Sequence, residues 1–226
     1  MRDEPVLLVH GFATSARRTW RDNGWIDLLG DVGREVIAPD LLGHGDAPKP
    51  HDPEAYGTLE HEVLAALPDR PVDAIGFSLG ARVVLTLAAA EPERFARIVV
   101  AGVGANLFRH DDTSSLIAGA VAGTDTSDNP VVQYFAGLAR QPGTDPAALA
   151  ACIRSPRPPL DAAVLGKVTC PVLVVLGDRD FAGPADPLVE ALPDARFTPL
   201  RNVDHFATPK DFRFIDAALD FLDALP

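Results

Sequence analysis

The sequence predicts an α/β fold on a mostly parallel sheet of about six strands, and three observations predict it. Short, continuous apolar runs recur along the chain, as in strands buried on both faces. Helical patterns separate them, and this alternation is the signature of parallel strands with helical crossovers. At Gly76-Phe77-Ser78-Leu79-Gly80 a serine stands between two glycines, with an apolar run before it and a helix-forming run after it.

Taken in order, Val6-Leu7-Leu8-Val9 is the first strand and a helix follows around Trp25-Ile26-Asp27-Leu28-Leu29. Val36-Ile37-Ala38 is the second strand, and Pro39 ends it. The segment from Leu59 to Leu67 is helical and stops at Pro68. Pro71 to Ile75 is a strand, and Ala81 to Ala90 is a helix apolar nearly all round, hence buried. Further strands are expected at Ile98 to Ala101, at Pro171 to Leu176 and near Arg196 to Thr198, the last after a short helix. The final helix sets Phe212, Ile215, Leu219 and Leu222 on one face.

One region breaks the alternation. From Val103 to Lys167 no strand is apparent, the composition shifts to Ala, Gly, Asp, Ser and Pro, and weak helical patterns occur near 131–138 and 147–153. The expected division is therefore a core of residues 1–102 and 168–226, with 103–167 inserted as a short helical cap, poor in aromatics.

A chain of 226 residues is long enough for one domain with a substantial core. With 20 basic against 32 acidic residues the formal net charge is −12, which argues against a nucleic-acid partner or an anionic membrane. The two cysteines, Cys152 and Cys170, form neither a disulfide framework nor a zinc pattern. The start, Met1-Arg2-Asp3-Glu4-Pro5, does not read as a signal peptide, and no apolar run reaches the ~18 residues of a membrane span. A cytoplasmic monomer without metal or cofactor is the expectation, with a small molecule as its partner.

The glycine-flanked serine fits a nucleophile elbow, a sharp turn that presents a hydroxyl at the top of a sheet. Side chains at Gly76 or Gly80 would collide with the adjoining strand or helix. A serine alcohol is a weak nucleophile until a base takes its proton, and that base needs a third group to orient it. Of six histidines only His205 lies beyond the last strand, before the final helix. Two carboxylates, Asp178 and Asp180, follow the strand that ends at Leu176, and either one meets the order serine, acid, histidine.

These segments resemble the α/β-hydrolase superfamily: His10-Gly11-Phe12, Pro39 to Gly45, Gly76 to Gly80, Gly177 to Asp180 and Asp204-His205. The resemblance covers nearly the whole chain except the cap. It implies the α/β-hydrolase fold, shortened here because the family's first two strands look absent. It selects Asp180 over Asp178 as the acid, and gives the backbone N–H groups of Phe12 and Leu79 as oxyanion donors. His10, His44 and Asp40 are expected to organise loops.

Ester hydrolysis by Ser78, His205 and Asp180 is the leading expectation, and thioesters would suit the same machinery. Arg82 opens an alternative, since the elbow also looks like that of the menaquinone-pathway lyase, with an arginine at the same offset. Arg82 is thus a candidate substrate-binding residue, with Arg17 and Arg18 as further cations. A silent small-molecule binder is the third reading, and the intact set of three side chains argues against it.

Overall fold

A computed structural model describes residues 3–109 and 113–225. Met1 and Arg2 of the expected start, and His110 to Asp112 inside the expected cap, lie outside the described residues.

Six strands form one sheet: β1 (Val6–Val9), β2 (Val36–Ile37), β3 (Val72–Phe77), β4 (Phe95–Ala101), β5 (Val172–Gly177) and β6 (Ala195–Leu200). Their spatial order is β2-β1-β3-β4-β5-β6, and each recorded pairing is parallel. The predicted class and strand number hold. β1, β3 and β5 are buried throughout, which is why β1 and β5 are unbroken apolar runs and β3 is interrupted only by Asp73. Pro199 is tolerated because β6 is an edge strand.

Alternate strand residues feed two cores. Leu7, Val9, Ala74, Ile98 and Val174 pack with α2 (Leu59–Ala65) and α3 (Leu79–Ala90). Val6, Leu8, Ile75, Val99 and Val175 pack with α1 (Trp25–Asp31) and α9 (Phe212–Phe221). On α9 the inward face carries Phe214, Ile215, Ala218 and Leu219, followed by Leu222, whereas Phe212 is 80% exposed. This corrects the expected stripe. Phe212 opens the helix directly after its cap Asp211, at the rim of the buried arc, and Phe214 takes the inward place.

Between β4 and β5 the described residues carry α4 (Ser114–Ala122), α5 (Pro130–Ala139), α6 (Pro146–Arg154) and the short α7 (Ala162–Leu165); α8 (Asp186–Ala191) then connects β5 to β6. Asn129 and Asp145 cap α5 and α6, each followed by a proline at the first helical position. α4 was not apparent in the sequence. It buries Ile117, Ala118, Gly119 and Val121, and Gly123 ends it at a φ of 73°.

Asp73 and Arg34 meet in the interior, Oδ2 to Nη2 at 2.5 Å, with both side chains at most 1% exposed. Arg34 also donates to the carbonyls of Glu4 and Leu222, which ties the start and end of the chain to β3.

Candidate active site

The strand order reverses between β1 and β3, because the chain leaves β1 for β2 on one side and returns to β3 on the other. At such a point the loops beyond the strands diverge and open a crevice. Val9 of β1 pairs with Gly76 of β3, so Gly11-Phe12 and Ser78 emerge side by side.

Ser78 has φ 54° and ψ −113°, a strained conformation for a residue with a side chain. The glycines around it are there for contact. A Cβ on Gly76 would lie 2.6 Å from the Ala81 Cα, and one on Gly80 would strike the carbonyl oxygens of Val9 and His10. The Ser78 N–H donates to the Ala101 carbonyl at 2.8 Å, which fixes the turn to β4.

Ser78 Oγ lies 3.0 Å from His205 Nε2, and His205 Nδ1 lies 3.0 Å from both carboxylate oxygens of Asp180. An ionised carboxylate only accepts, so Nδ1 carries the proton and Nε2 is left to accept from the serine hydroxyl. The side chains of His205 and Asp180 are 3% and 0% exposed. The structure thus brings Ser78, His205 and Asp180 together. Asp180 is held by the Ala182 N–H on Oδ1. Asp178 points to solvent and accepts the Asn202 N–H at 2.7 Å, bracing the turn after β6. Arg179, equally exposed, donates to the Asn202 side chain.

The loop that carries His205 is pinned at both sides. Val203 accepts from the Arg179 N–H, and Asp204 accepts from the Ala207 N–H. The imidazole lies between two rings, with centroids 4.9 Å from Phe77 and 4.3 Å from Phe181.

Leu79 opens α3, so its N–H belongs to the amides that have no acceptor within the helix. Phe12 lies on the loop after β1, its ring 5.5 Å from Phe135 of α5 and 5.7 Å from His44. His10 accepts the Leu41 N–H on Nε2 and donates from Nδ1 to the Gly11 carbonyl, so it is neutral. Its Nε2 stands 3.6 Å from Asp40, yet with that lone pair occupied no ion pair forms. Burial lowers the His10 imidazole from its ordinary range and, with the nearby His10, pushes His44 down to about 3. Asp40 accepts from the N–H groups of Ala16 and Asp46, joining two loops.

A cavity of about 150 Å³ opens over Ser78. Its apolar lining comes from Phe12, Phe77, Tyr134, Phe135, Leu138 and Phe206. Tyr134 stacks on Phe206 with centroids 3.5 Å apart. The segment expected to be poor in aromatics therefore places two of them, both on α5, at this cavity. Neither these nor Phe206 stood out in the sequence, since only a fold can show that they converge. Arg82 is not among the described residues lining the cavity. Its guanidinium donates to the Pro158 carbonyl, beyond α6. Arg17 is exposed and pairs with Asp22, whereas Arg18 does line the cavity. Among the described residues no cluster of three or more metal-ligating side chains occurs, and no helix is long and apolar enough to cross a membrane.

With this geometry in place the chain can be set beside known proteins. A family model described as the alpha/beta hydrolase fold matches residues 4–122, more than half of the chain. The pimeloyl-[acyl-carrier protein] methyl ester esterase of Neisseria meningitidis serogroup C is 30% identical over 207 residues, spanning 79% of this chain and 76% of that relative. The 2-hydroxymuconate semialdehyde hydrolase of a Pseudomonas species is 33% identical over 104 residues, 43% of this chain and 36% of its own length. Among solved structures, a bromoperoxidase from Bacillus anthracis superposes with a TM-score of 0.72 at 22% identity, covering 98% of this chain and 92% of that one. A thermophilic esterase from Thermogutta terrifontis gives 0.71 at 21% identity, covering 97% and 89%. At these identities the two structures speak for the fold alone. Sequence and architecture agree, and the chain belongs to the α/β-hydrolase family.

Proposed function

We propose that the protein is a serine hydrolase that cleaves carboxylic esters through an acyl-enzyme intermediate. The observation that carries this reading is the unbroken hydrogen-bonded line from Ser78 Oγ through His205 to Asp180, with the serine on a strained elbow at the mouth of a cavity. Family membership and the esterase among its relatives support ester hydrolysis.

In this mechanism His205 Nε2 takes the hydroxyl proton as Ser78 Oγ attacks the ester carbonyl carbon. The tetrahedral oxyanion is met by the backbone N–H groups of Phe12 and Leu79, and each such donor is worth about 2.7–4 kcal/mol in the transition state. His205 returns its proton to the departing alkoxide, which leaves as the alcohol. Water, deprotonated by the same nitrogen, then attacks the acyl carbon; the bond to Ser78 Oγ breaks, His205 returns the proton to that oxygen, and the acid departs. Asp180 holds the imidazole in the required tautomer and balances the imidazolium charge.

Helices α4–α7 act as the cap. Of these only α5 lines the cavity, whose volume compares with the roughly 150 Å³ that accommodates a benzene ring, so a short acyl chain or a single ring is the fitting occupant. Pyruvate elimination on this scaffold would enlist Arg82, which is bonded away from the cavity, so hydrolysis is the reading put forward.

Hydrolysis of p-nitrophenyl butyrate by the wild type and by Ser78→Ala tests the proposal. Wild-type turnover that Ser78→Ala loses is expected. Equal rates in the two proteins would overturn it.

A further inference from the structure

The cavity is charged in the opposite sense to the chain. Acidic residues outnumber basic ones by 32 to 20 overall, yet no Asp or Glu is found among the described residues lining the cavity. Its charged side chains are Arg18 and Lys210. They come from two short irregular elements that pack against each other, a π-helical turn at Arg17–Arg21 and a 3-10 turn at Thr208–Lys210. π-Helical turns are rare and concentrate at functional sites. This one buries Thr19 and Trp20 and turns its arginine neighbours apart, Arg17 to solvent and Arg18 to the cavity.

The wall they form is built rather than incidental. Trp25 Nε1 donates to the Pro209 carbonyl at 2.8 Å, which anchors the 3-10 turn. Asn23 Nδ2 donates to the carbonyls of Arg18 and Thr19, which fixes the π-turn. Arg18 spends one donor on the Pro142 carbonyl at 2.6 Å, in the loop between α5 and α6, and a guanidinium has five. The cavity lining therefore combines aromatic and aliphatic side chains near Ser78 with a cationic, hydroxyl-bearing wall of Thr14, Arg18, Thr19 and Lys210. A neutral ester would leave that wall unused.

We propose that the substrate is an ester that bears an anionic group on the same small molecule, held by Arg18 and Lys210 while the ester carbonyl lies at Ser78. This rests on the hydrolase reading above and adds a substrate class to it. A carboxylate and a phosphate share the required chemistry, namely a compact anion that accepts from a guanidinium fork and an ammonium.

The test compares two activated esters of equal chain length, p-nitrophenyl hydrogen glutarate and p-nitrophenyl pentanoate. The wild type is expected to prefer the anionic ester by about tenfold in kcat/KM, the size of one charge-assisted hydrogen bond. Arg18→Gln and Lys210→Gln should each lower that ratio by at least about threefold, and added salt should lower it in the wild type. Lys210 is exposed and none of the side-chain bonds above depends on it, so Lys210→Gln keeps the test valid if Arg18→Gln loosens the Pro142 contact. Glutarate and glycerol phosphate, compared as competitive inhibitors, separate the two anions, and inhibition by either that weakens in both variants supports the site. A wild-type ratio of one or less, with Ser78-dependent turnover of the neutral ester intact, overturns the anion site and spares the hydrolase reading. If neither ester is turned over, the hydrolase reading fails. Calorimetric titration of glutarate and of glycerol phosphate then decides the site alone: binding weakened in both variants supports it, and no binding to the wild type sinks it.

Discussion

Two buried carboxylates stand at opposite edges of the sheet, and their partners set them apart. Asp73 lies near the start of β3, with its side chain 0% exposed against Arg34. Asp180 lies beyond the end of β5, also 0% exposed, against His205, whose other nitrogen reaches the serine just past the end of β3. Burial is the same, and so is the demand for a donor. Arg34 offers donors only, and two more of them end on backbone carbonyls. His205 has one ring nitrogen that donates and one that accepts, and its line ends on a hydroxyl at a cavity. A fixed cation turns a buried carboxylate into a clamp, whereas a titratable one makes it available for proton traffic.

The largest effect that would break this comparison lies at the upper edge. Ser78→Ala should cut kcat by ~10⁴-fold or more, and Asp180→Asn by about 10³–10⁴-fold, with thermal unfolding of the folded protein little changed. Asp178→Asn should stay within about threefold of wild-type kcat. A larger loss at 178 than at 180 in p-nitrophenyl ester assays would reverse the assignment of the acid.

The lower edge should respond in stability. Asp73→Ala leaves Arg34 buried and unpaired, and should cost about 3–5 kcal/mol in urea unfolding while kcat per folded molecule is kept. The double variant Asp73→Leu with Arg34→Met should recover most of that loss. An Asp73→Ala protein as stable as wild type would remove the clamp from the comparison.

Smaller again is the tie between α6 and the loop that carries His51. Asp145 caps α6, and His51 donates to its other oxygen at 3.0 Å. That hydrogen bond holds the Asp145 carboxyl below its ordinary value. A depressed carboxylate stabilises the fold above its unfolded pKa, and the contribution fades as pH falls through the lower folded value. Asp145→Ala should therefore cost about 1 kcal/mol at pH 6, read by denaturant unfolding, and the gap should narrow toward pH 3.

The least conspicuous effect is chemical. Burial pushes the Cys170 thiol up to about 11 and raises Cys152 as well. Neither should react with a disulfide reagent at pH 8 in the native protein, and both should react in guanidinium. Fast native labelling of either would mean that its surroundings open.

The sheet was legible because strands buried on both faces must be apolar throughout, and Val172 to Leu176 admits little else. The three-residue line was legible because chain order and the position of each loop after its strand constrain it. α4 escaped because Ser114 to Ala122 buries only two large side chains, Ile117 and Val121, while Leu116 is exposed, which leaves too short an apolar period to read. Its end was signalled by Gly123, and the starts of α5 and α6 by Asn129-Pro130 and Asp145-Pro146. The cavity wall escaped for a different reason. Arg18 and Lys210 are far apart in the chain, and only tertiary packing of two irregular turns sets them on one wall.

The ring pair around His205 has a consequence in time. With Phe77 on one side and Phe181 on the other, the imidazole cannot rotate about its side-chain bonds without displacing an aromatic ring. Phe77 is buried, so Phe181, which is 43% exposed, is the one that can yield. Turning the imidazole thus requires a ring to move, and until one does the nitrogen lone pair stays aimed at the Ser78 hydroxyl.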